Sequence, residues 1–225
     1  MRAALIIPAL NEEEVIGATL AAVPGGLFEA VIVADNGSVD RTAEEARAAG
    51  AIVVREPRRG YGAACLRAIA ALPPGIEAIV FMDADGSDSP AEAPRLLAPI
   101  AAGEADLVIG SRELGDASAL PAHQRWGNRL ATGLIRLLLG HAYTDLGPFR
   151  AIRAESLERL GMRDANYGWT IEMQIKALHR GLRVQEAPVT SRPRAGGRSK
   201  VSGTLWGSVS AGVKILWTVA RFGLA

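Results

Sequence analysis

Three aspartates, Asp83, Asp85 and Asp88, fall within six residues directly after the apolar run Ile79 to Met82. Such a run reads as a strand buried on both faces, so the acids stand at its carboxyl end. Ser89-Pro90-Ala91-Glu92 follows and reads as a helix start, with Ser89 as the cap, Pro90 at the first helical position and Glu92 as a capping-box carboxylate. In open α/β folds ligands bind at the carboxyl ends of strands. Two carboxylates two residues apart suit a hard divalent cation such as magnesium, with positions left for substrate phosphate oxygens. The plainer reading is a set of solvated loop acids or turn caps. A calcium loop is disfavoured, because the twelfth position counted from Asp83 is Pro94 rather than glutamate.

The elements needed to position these acids are legible upstream. Residues 3–7 read as a first buried strand ended by Pro8, with Asn11 capping a helix over 12–22. Further strands are expected at 30–34, 51–55 and 107–110, and helices at 41–49 (closed by Gly50), from about Gly60 to 71, and at 90–102. This alternation predicts an α/β domain with a mostly parallel central sheet flanked by helices. The polar turns after strands one, two and four then share one sheet edge, which brings Asn11, Asp35 and the Asp83/Asp85 pair to one crevice. Beyond 110 a polar loop leads to an amphipathic helix over 125–139. Trp126, Leu130, Leu134, Leu137 and Leu138 form its apolar side, and Arg125, Arg129 and Arg136 are among its polar positions. A tight turn at 144–149, a strand at 150–153, helices at 154–160 and 169–179 (carrying Glu172), a last strand at 184–187 and a basic loop at 191–200 complete the pattern. No internal repeat or domain boundary interrupts it.

The totals exclude several classes. A chain of 225 residues, 49% hydrophobic, can bury a full core as one domain. A net charge of +1 gives no field for nucleic acid. The single cysteine, Cys65, permits no internal disulfide and suits a reducing compartment. The first residues do not read as a signal peptide, since Pro8 and the acids at 12–14 interrupt the apolar run. No stretch reads as a membrane span; the nearest, 201–225, is either a helix packed on the domain or an interfacial anchor presenting Trp206, Leu216, Trp217 and Phe222 to lipid. Gly60-Tyr61-Gly62 lacks the third glycine of a dinucleotide fingerprint, and no Gly-Lys-Ser/Thr phosphate loop occurs.

Five motifs occur in order: Ile-Ile-Pro-Ala-Leu-Asn-Glu at 6–12, Asp-Asn-Gly-Ser-Val-Asp-Arg-Thr at 35–42, Asp-Ala-Asp at 83–85, Gly-Ser-Arg at 110–112 and Arg-Ala-Gly-Gly-Arg-Ser-Lys at 194–200. Together they resemble the family 2 inverting glycosyltransferases of GT-A fold, and most closely the dolichyl- or polyprenyl-phosphate mannose or glucose synthase branch. The resemblance implies a nucleotide-diphosphate sugar as donor, Mg2+ or Mn2+ on Asp83 and Asp85, and a polyprenyl phosphate as acceptor. It implies donor contacts at Pro8, Ala9, Asn11, Glu12, Asp35, Gly62, Asp83, Ala84, Asp85 and Lys200, with the 194–200 loop closing over the diphosphate. It implies acceptor contacts at Arg112, Arg125, Arg129 and Glu172, and assigns Arg112, Arg194 and Asp145 to catalysis. Asp145 and Glu172 are the candidate general bases, should the acceptor be a hydroxyl. It implies a single GT-A domain over 1–203, with a nucleotide-sugar half (1–110) and an acceptor half (111–203); residues 204–225 are expected to form a C-terminal helix, either packed on the domain or at the membrane interface. The expected location is cytoplasmic, peripheral on the inner face of the membrane. Three departures stand out: Gly86-Ser87-Asp88 where many members carry an apolar residue and glutamine, Gly147-Pro148-Phe149 where Ser-Gly-Phe is more usual, and no stretch that reads as the C-terminal transmembrane helices many lipid-linked members carry. Competing readings are the same donor chemistry with a soluble or lipid hydroxyl acceptor, a nucleotidyltransferase, and a non-catalytic nucleotide-sugar-binding protein.

Overall fold

The computed structural model describes residues 1–118 and 120–196. Lys200, the remainder of the basic loop and the 204–225 segment lie outside the described residues.

Strands β1 (Ala3–Ala9), β2 (Ala30–Asp35), β3 (Ile52–Arg55) and β4 (Ala78–Phe81) alternate with helices α1 (Ile16–Ala21), α2 (Thr42–Ala48) and α3 (Tyr61–Ile69). Helix α4 (Ala93–Ala101) leads to β5 (Leu107–Asp116), and α5 (Ala122–Leu139), β6 (Arg150–Arg153), α6 (Ala154–Leu160), α7 (Trp169–His179) and β7 (Val184–Thr190) follow. One sheet results, in the order β3-β2-β1-β4-β6-β5-β7. The β1–β2, β2–β3, β1–β4 and β5–β7 pairs are parallel, and β6 alone runs antiparallel, between β4 and β5.

Both faces of this sheet are covered, as the uninterrupted apolar strands require. In β1, Ala4 and Ile6 point into a core shared with Ala64 and Ala68 of α3, Leu157 of α6 and Trp169 of α7. Leu5 and Ile7 point into the other, with Ile16 of α1, Ala46 of α2 and Leu96 of α4. The leucines and isoleucines among them contribute about 1.5–3 kcal/mol each when fully buried.

Four local expectations are corrected. Helix α1 starts at Ile16, not at residue 12, and Asn11 does not cap it. Asn11 instead adopts φ 50° and its side chain is spent on the neighbouring loop. The capping box at Ser89 does not form: a short 3-10 turn, Pro90–Glu92, precedes α4 without a side-chain cap. Glu92 accepts instead from the Thr190 N–H at 3.0 Å, so a tertiary partner takes the carboxylate the box needed. Strand β5 runs six residues past Gly110, because β7 pairs along it as far as Asp116 opposite Thr190. Finally, α5 buries Ala131 and Ile135, while Trp126, Leu130, Leu137 and Leu138 are exposed. At 100° per residue the exposed trio 126, 130 and 137 lies opposite the buried pair.

Candidate active site

The carboxyl edge of β1, β2 and β4 gathers the first group of residues, and side chains of the turns lace it together. Pro8 and Ala9 end β1 in buried positions. Asn11 accepts from the Val39 N–H at 2.9 Å and its own N–H donates to Ser38 Oγ at 2.9 Å. Asp35 accepts from the Ser38 N–H at 2.9 Å, and the Glu12 N–H donates to Thr42 Oγ1 at 2.7 Å. Asn36 reaches the third loop: its amide donates to the Glu56 and Arg58 carbonyls, and it accepts from the Gly60 N–H at 2.8 Å. The motif at 35–42 thus builds a rigid rim.

Beyond the rim, Met82 is held by the Ile6 carbonyl at 3.1 Å, and Asp83 follows with its Oδ1 buried and without a hydrogen-bond partner in the protein. The Asp83 N–H donates to Asp88 Oδ2 at 3.3 Å, so Asp88 folds back against Asp83. Burial and the neighbouring charges of Asp88 and Asp85 raise Asp83 to about 8. Burial also raises Asp88 to about 7, against the opposing pull of Arg112. Ala84 is buried, and its carbonyl accepts from Thr19 Oγ1 at 3.2 Å. Asp85 is half-buried; Oδ1 accepts from the Ser87 N–H at 3.0 Å and Oδ2 from Arg194 at 2.9 Å.

Arg194 is the bridging cation of this edge, pairing with Glu12 as well as Asp85. Its loop is tied down by backbone bonds from the Ala195 N–H to the Asp85 carbonyl at 3.1 Å and from the Arg192 N–H to the Ser87 carbonyl at 2.9 Å. These features fit a divalent cation. Asp83 and Asp85 are adjacent acids, one with an orphaned buried oxygen, and a guanidinium already occupies the cation's electrostatic place beside Asp85. Among the described residues no three His, Cys, Asp or Glu side chains form a closed cage. Two carboxylates completed by substrate phosphates and water are the arrangement magnesium favours.

The second group lies where β5, β6 and α7 meet. Asp145 is fully buried. Its carboxylate receives the Arg112 guanidinium through two parallel bonds of 2.7 Å, and also the Arg112 N–H at 2.9 Å and the Leu146 N–H at 2.7 Å. Gly147 leaves room for this pair, since a Cβ there would stand 3.3 Å from the guanidinium; the Gly-Pro-Phe departure therefore has a packing reason. The turn itself is held from behind. Glu186 accepts from the Thr144 and Asp145 N–H groups at 3.0 and 3.1 Å, the Gln174 amide donates to the Asp145 carbonyl at 3.1 Å, and the buried Arg150 donates to the Leu146, Gly147 and Thr170 carbonyls. Burial lowers Arg150 to about 10. The Arg112 guanidinium, fixed by Asp145 in this way, is a preorganised anion receptor. The charges of Asp83 and Asp88 reach it as well, after that of Asp145.

The remaining expected residues separate. Arg125 is partly exposed and 3.9 Å from Glu113, and Arg129 is exposed on α5. Glu172 does not face the crevice: it is fully buried, accepting from the Arg163 and Asp164 N–H groups and pairing with Lys176 at 2.7 Å. It anchors the 163–166 segment. That segment in turn explains Gly62, because a Cβ added there, or at Gly60, would collide with the Asp164 or Ala165 carbonyl oxygen. Gly62 serves chain packing rather than presenting itself to a ligand. Asp145, first choice as a general base, has both oxygens bonded to Arg112; it positions that guanidinium. The residues that sequence reasoning passed over are Asn36, Arg150, Gln174 and Glu186. Only Asn36 carried a signal, as part of the 35–42 motif.

Residues 4–161 match the sequence profile of Glycosyl transferase family 2. The chain belongs to that family. It is 41% identical over 211 residues to an uncharacterized glycosyltransferase of Mycobacterium tuberculosis, spanning 92% of this chain and 93% of that one. It is 32% identical over 239 residues to the undecaprenyl-phosphate mannosyltransferase of Micrococcus luteus, spanning 100% of this chain and 95% of that one. The fold is similar to that of M. tuberculosis glucosyl-3-phosphoglycerate synthase solved with Mn2+, UDP-glucose and phosphoglyceric acid, with a TM-score of 0.80, 25% identity, and coverage of 99% of this chain and 80% of that one. The architecture is thus the GT-A fold, and this family 2 enzyme is a glycosyltransferase. No helix among the described residues is long and apolar enough to cross a membrane.

Proposed function

We propose that this glycosyltransferase moves a hexosyl group, with inversion, from a nucleotide-diphosphate sugar to the phosphate of a polyprenyl phosphate, peripherally at the cytoplasmic face of the membrane. The observation that carries the acceptor is the state of the two candidate bases. Asp145 and Glu172 are both fully buried and bonded. Neither is free to deprotonate a hydroxyl, whereas a phosphate is already ionised near neutral pH and needs no base. The nearby Arg112 guanidinium is preorganised for an anion. The undecaprenyl-phosphate acceptor in the name of the M. luteus relative supports the same reading.

In this reading the rim of Asn11, Glu12 and Asp35 holds the nucleoside, and Asp83 and Asp85 hold Mg2+ or Mn2+. When bound, the ion supplies Lewis-acid stabilisation of the departing diphosphate. Arg112, oriented by Asp145, aligns the acceptor phosphate, whose oxygen forms the new bond to the anomeric carbon as the bond to the nucleoside diphosphate breaks. The leaving electron pair stays on the diphosphate, toward which Arg194 is free to turn once it leaves Asp85. Arg125 and Arg129 lie at the acceptor approach.

A soluble phosphorylated acceptor is the second reading, because the similar synthase was solved with phosphoglyceric acid. The test is transfer of radiolabelled sugar from a panel of nucleotide sugars, with Mn2+ or Mg2+, to polyprenyl phosphate, polyprenol or phosphoglyceric acid. Label entering only the polyprenyl phosphate product is expected. Transfer to polyprenol would overturn the phosphate acceptor, and transfer to phosphoglyceric acid alone would establish the second reading.

A further inference from the structure

Helix α5 exposes on one side what its sequence would bury. Trp126 is 68% exposed, Leu130 43% and Leu137 80%. Their spacing, i, i+4 and i+11, aligns them along one line about 16 Å long. Leu138, at 41%, lies about 100° around the helix from this line, toward Ala131. The opposite side is already packed, with Ala131 at 1% and Ile135 at 0%. The helix therefore has a complete core contact and a second apolar stripe left over. Alongside that stripe run Arg125, Arg129 and Arg136, and the 18 residues of α5 contain no aspartate or glutamate. Leu114 is exposed beside Glu113, which stands 3.9 Å from Arg125.

We infer that this face of α5 is the surface by which the protein lies on an anionic lipid bilayer. An apolar stripe carrying tryptophan and leucine beside a wholly cationic flank has the composition of an interfacial helix. Trp126 is amphipathic and suits the headgroup level. A second copy of the chain fits poorly, because a two-fold contact would bring three arginines of one protomer against three of the other. The position of the helix gives the contact a purpose. Asn128, on the core-facing side of the helix opposite the exposed stripe, donates to the Thr144 carbonyl at 2.9 Å and accepts from the Leu146 N–H at 3.0 Å. It bonds the turn that carries Asp145, so the Arg112 clamp sits one helix thickness, about 10 Å, behind the lipid-facing stripe. A phosphate at the bilayer surface is then at the level of the clamp. This deepens the polyprenyl-phosphate reading by naming the surface that meets the membrane, and it is tested without donor or acceptor.

The experiment is flotation of the full chain with vesicles of phosphatidylcholine alone or mixed equally with phosphatidylglycerol, without nucleotide, metal or polyprenyl phosphate. Flotation with the anionic vesicles is expected, lost at least tenfold in Leu130→Glu/Leu137→Glu and weakened severalfold in Arg136→Gln. Quenching of fluorescence by brominated lipid is expected to fall when Trp126 is replaced by Phe. Circular dichroism controls for folding, and all positions changed are exposed. Unchanged flotation of the double variant overturns the inference and assigns the contact to another segment such as 204–225. Equal flotation with neutral vesicles, or a dimer in light scattering that the double variant dissolves while no vesicle binding occurs, overturns it too. Transfer to a detergent-dispersed short-chain acceptor is expected to survive in the double variant. Its absence in the wild type as well, with flotation intact, would count against the acceptor and not against this face.

Discussion

Two groups of buried carboxylates stand on either side of the crevice, and they solve the cost of burial in opposite ways. Asp145 is paired: a guanidinium and two backbone N–H groups take its oxygens. Asp83 and Asp88 are set against each other, with one oxygen of Asp83 orphaned, and both titrate far above an ordinary aspartate. A buried charge left without a partner costs several kcal/mol, so it either neutralises or waits for a cation. The same residue type is therefore a finished structural part on one side and an unfinished one on the other. The unfinished side is the one that, in the proposed function, a metal and a diphosphate complete.

This contrast can be broken by removing its members in turn. Asp145→Ala strands the Arg112 guanidinium, and a loss of about 3–5 kcal/mol in urea-denaturation stability is expected; a loss under about 1 kcal/mol would mean that Arg112 finds other partners and that the pairing is not structural. Asp85→Ala removes an acid whose partner, Arg194, keeps Glu12 as a second carboxylate. Its fold should persist, with an unaltered melting curve, while transfer falls about a hundredfold or more. Activity that stays high and insensitive to EDTA would take the ion out of the mechanism.

A test on Asp83 sharpens the comparison most. With Asp83 raised to about 8 from 3.8, the folded state keeps a proton that the unfolded chain releases once pH exceeds about 4. Metal-free stability should therefore be full below about pH 4 and decline as pH rises toward about 8. Asp83→Asn should flatten that decline, and Mg2+ should offset it more at pH 8 than at pH 6. Urea midpoints measured in chelator and in Mg2+ test this, and a stability that rises across the window would reverse the assignment.

How much of this was legible beforehand follows from which interactions are local. The apolar runs at 3–7, 30–34 and 79–82 announce strands buried on both faces, and their polar ends converge as expected on Asn11, Asp35 and Asp83. What depended on distant partners was not legible. Glu92 reads as a capping-box acid until Thr190 claims it. Residues 113–116 read as loop because only β7 makes them strand. Helix α5 has two apolar sides, and hydrophobicity does not say which is inward; Ala131 and Ile135 are buried, with Leu134 and Leu139 packed against the same core, while Leu130, Leu137 and Leu138 remain exposed. Asp145 and Glu172 matched the chemistry of a base by residue type, yet their bonding partners lie 33 and 9 residues away along the chain.

The antiparallel strand β6 has a consequence of its own. Arg150 lies in register with Phe81 of β4 and with Ile109 of β5, two residues before Asp83 and three before Arg112. One residue thus serves as the common tooth between the two halves, and a slip by a single position would shift both sites relative to each other by about 3.3 Å. The same gearing forbids dividing the enzyme at residue 110. A fragment ending there would keep β4 but lose the strand that covers its edge, exposing unpaired backbone along an apolar strand and inviting edge-to-edge aggregation.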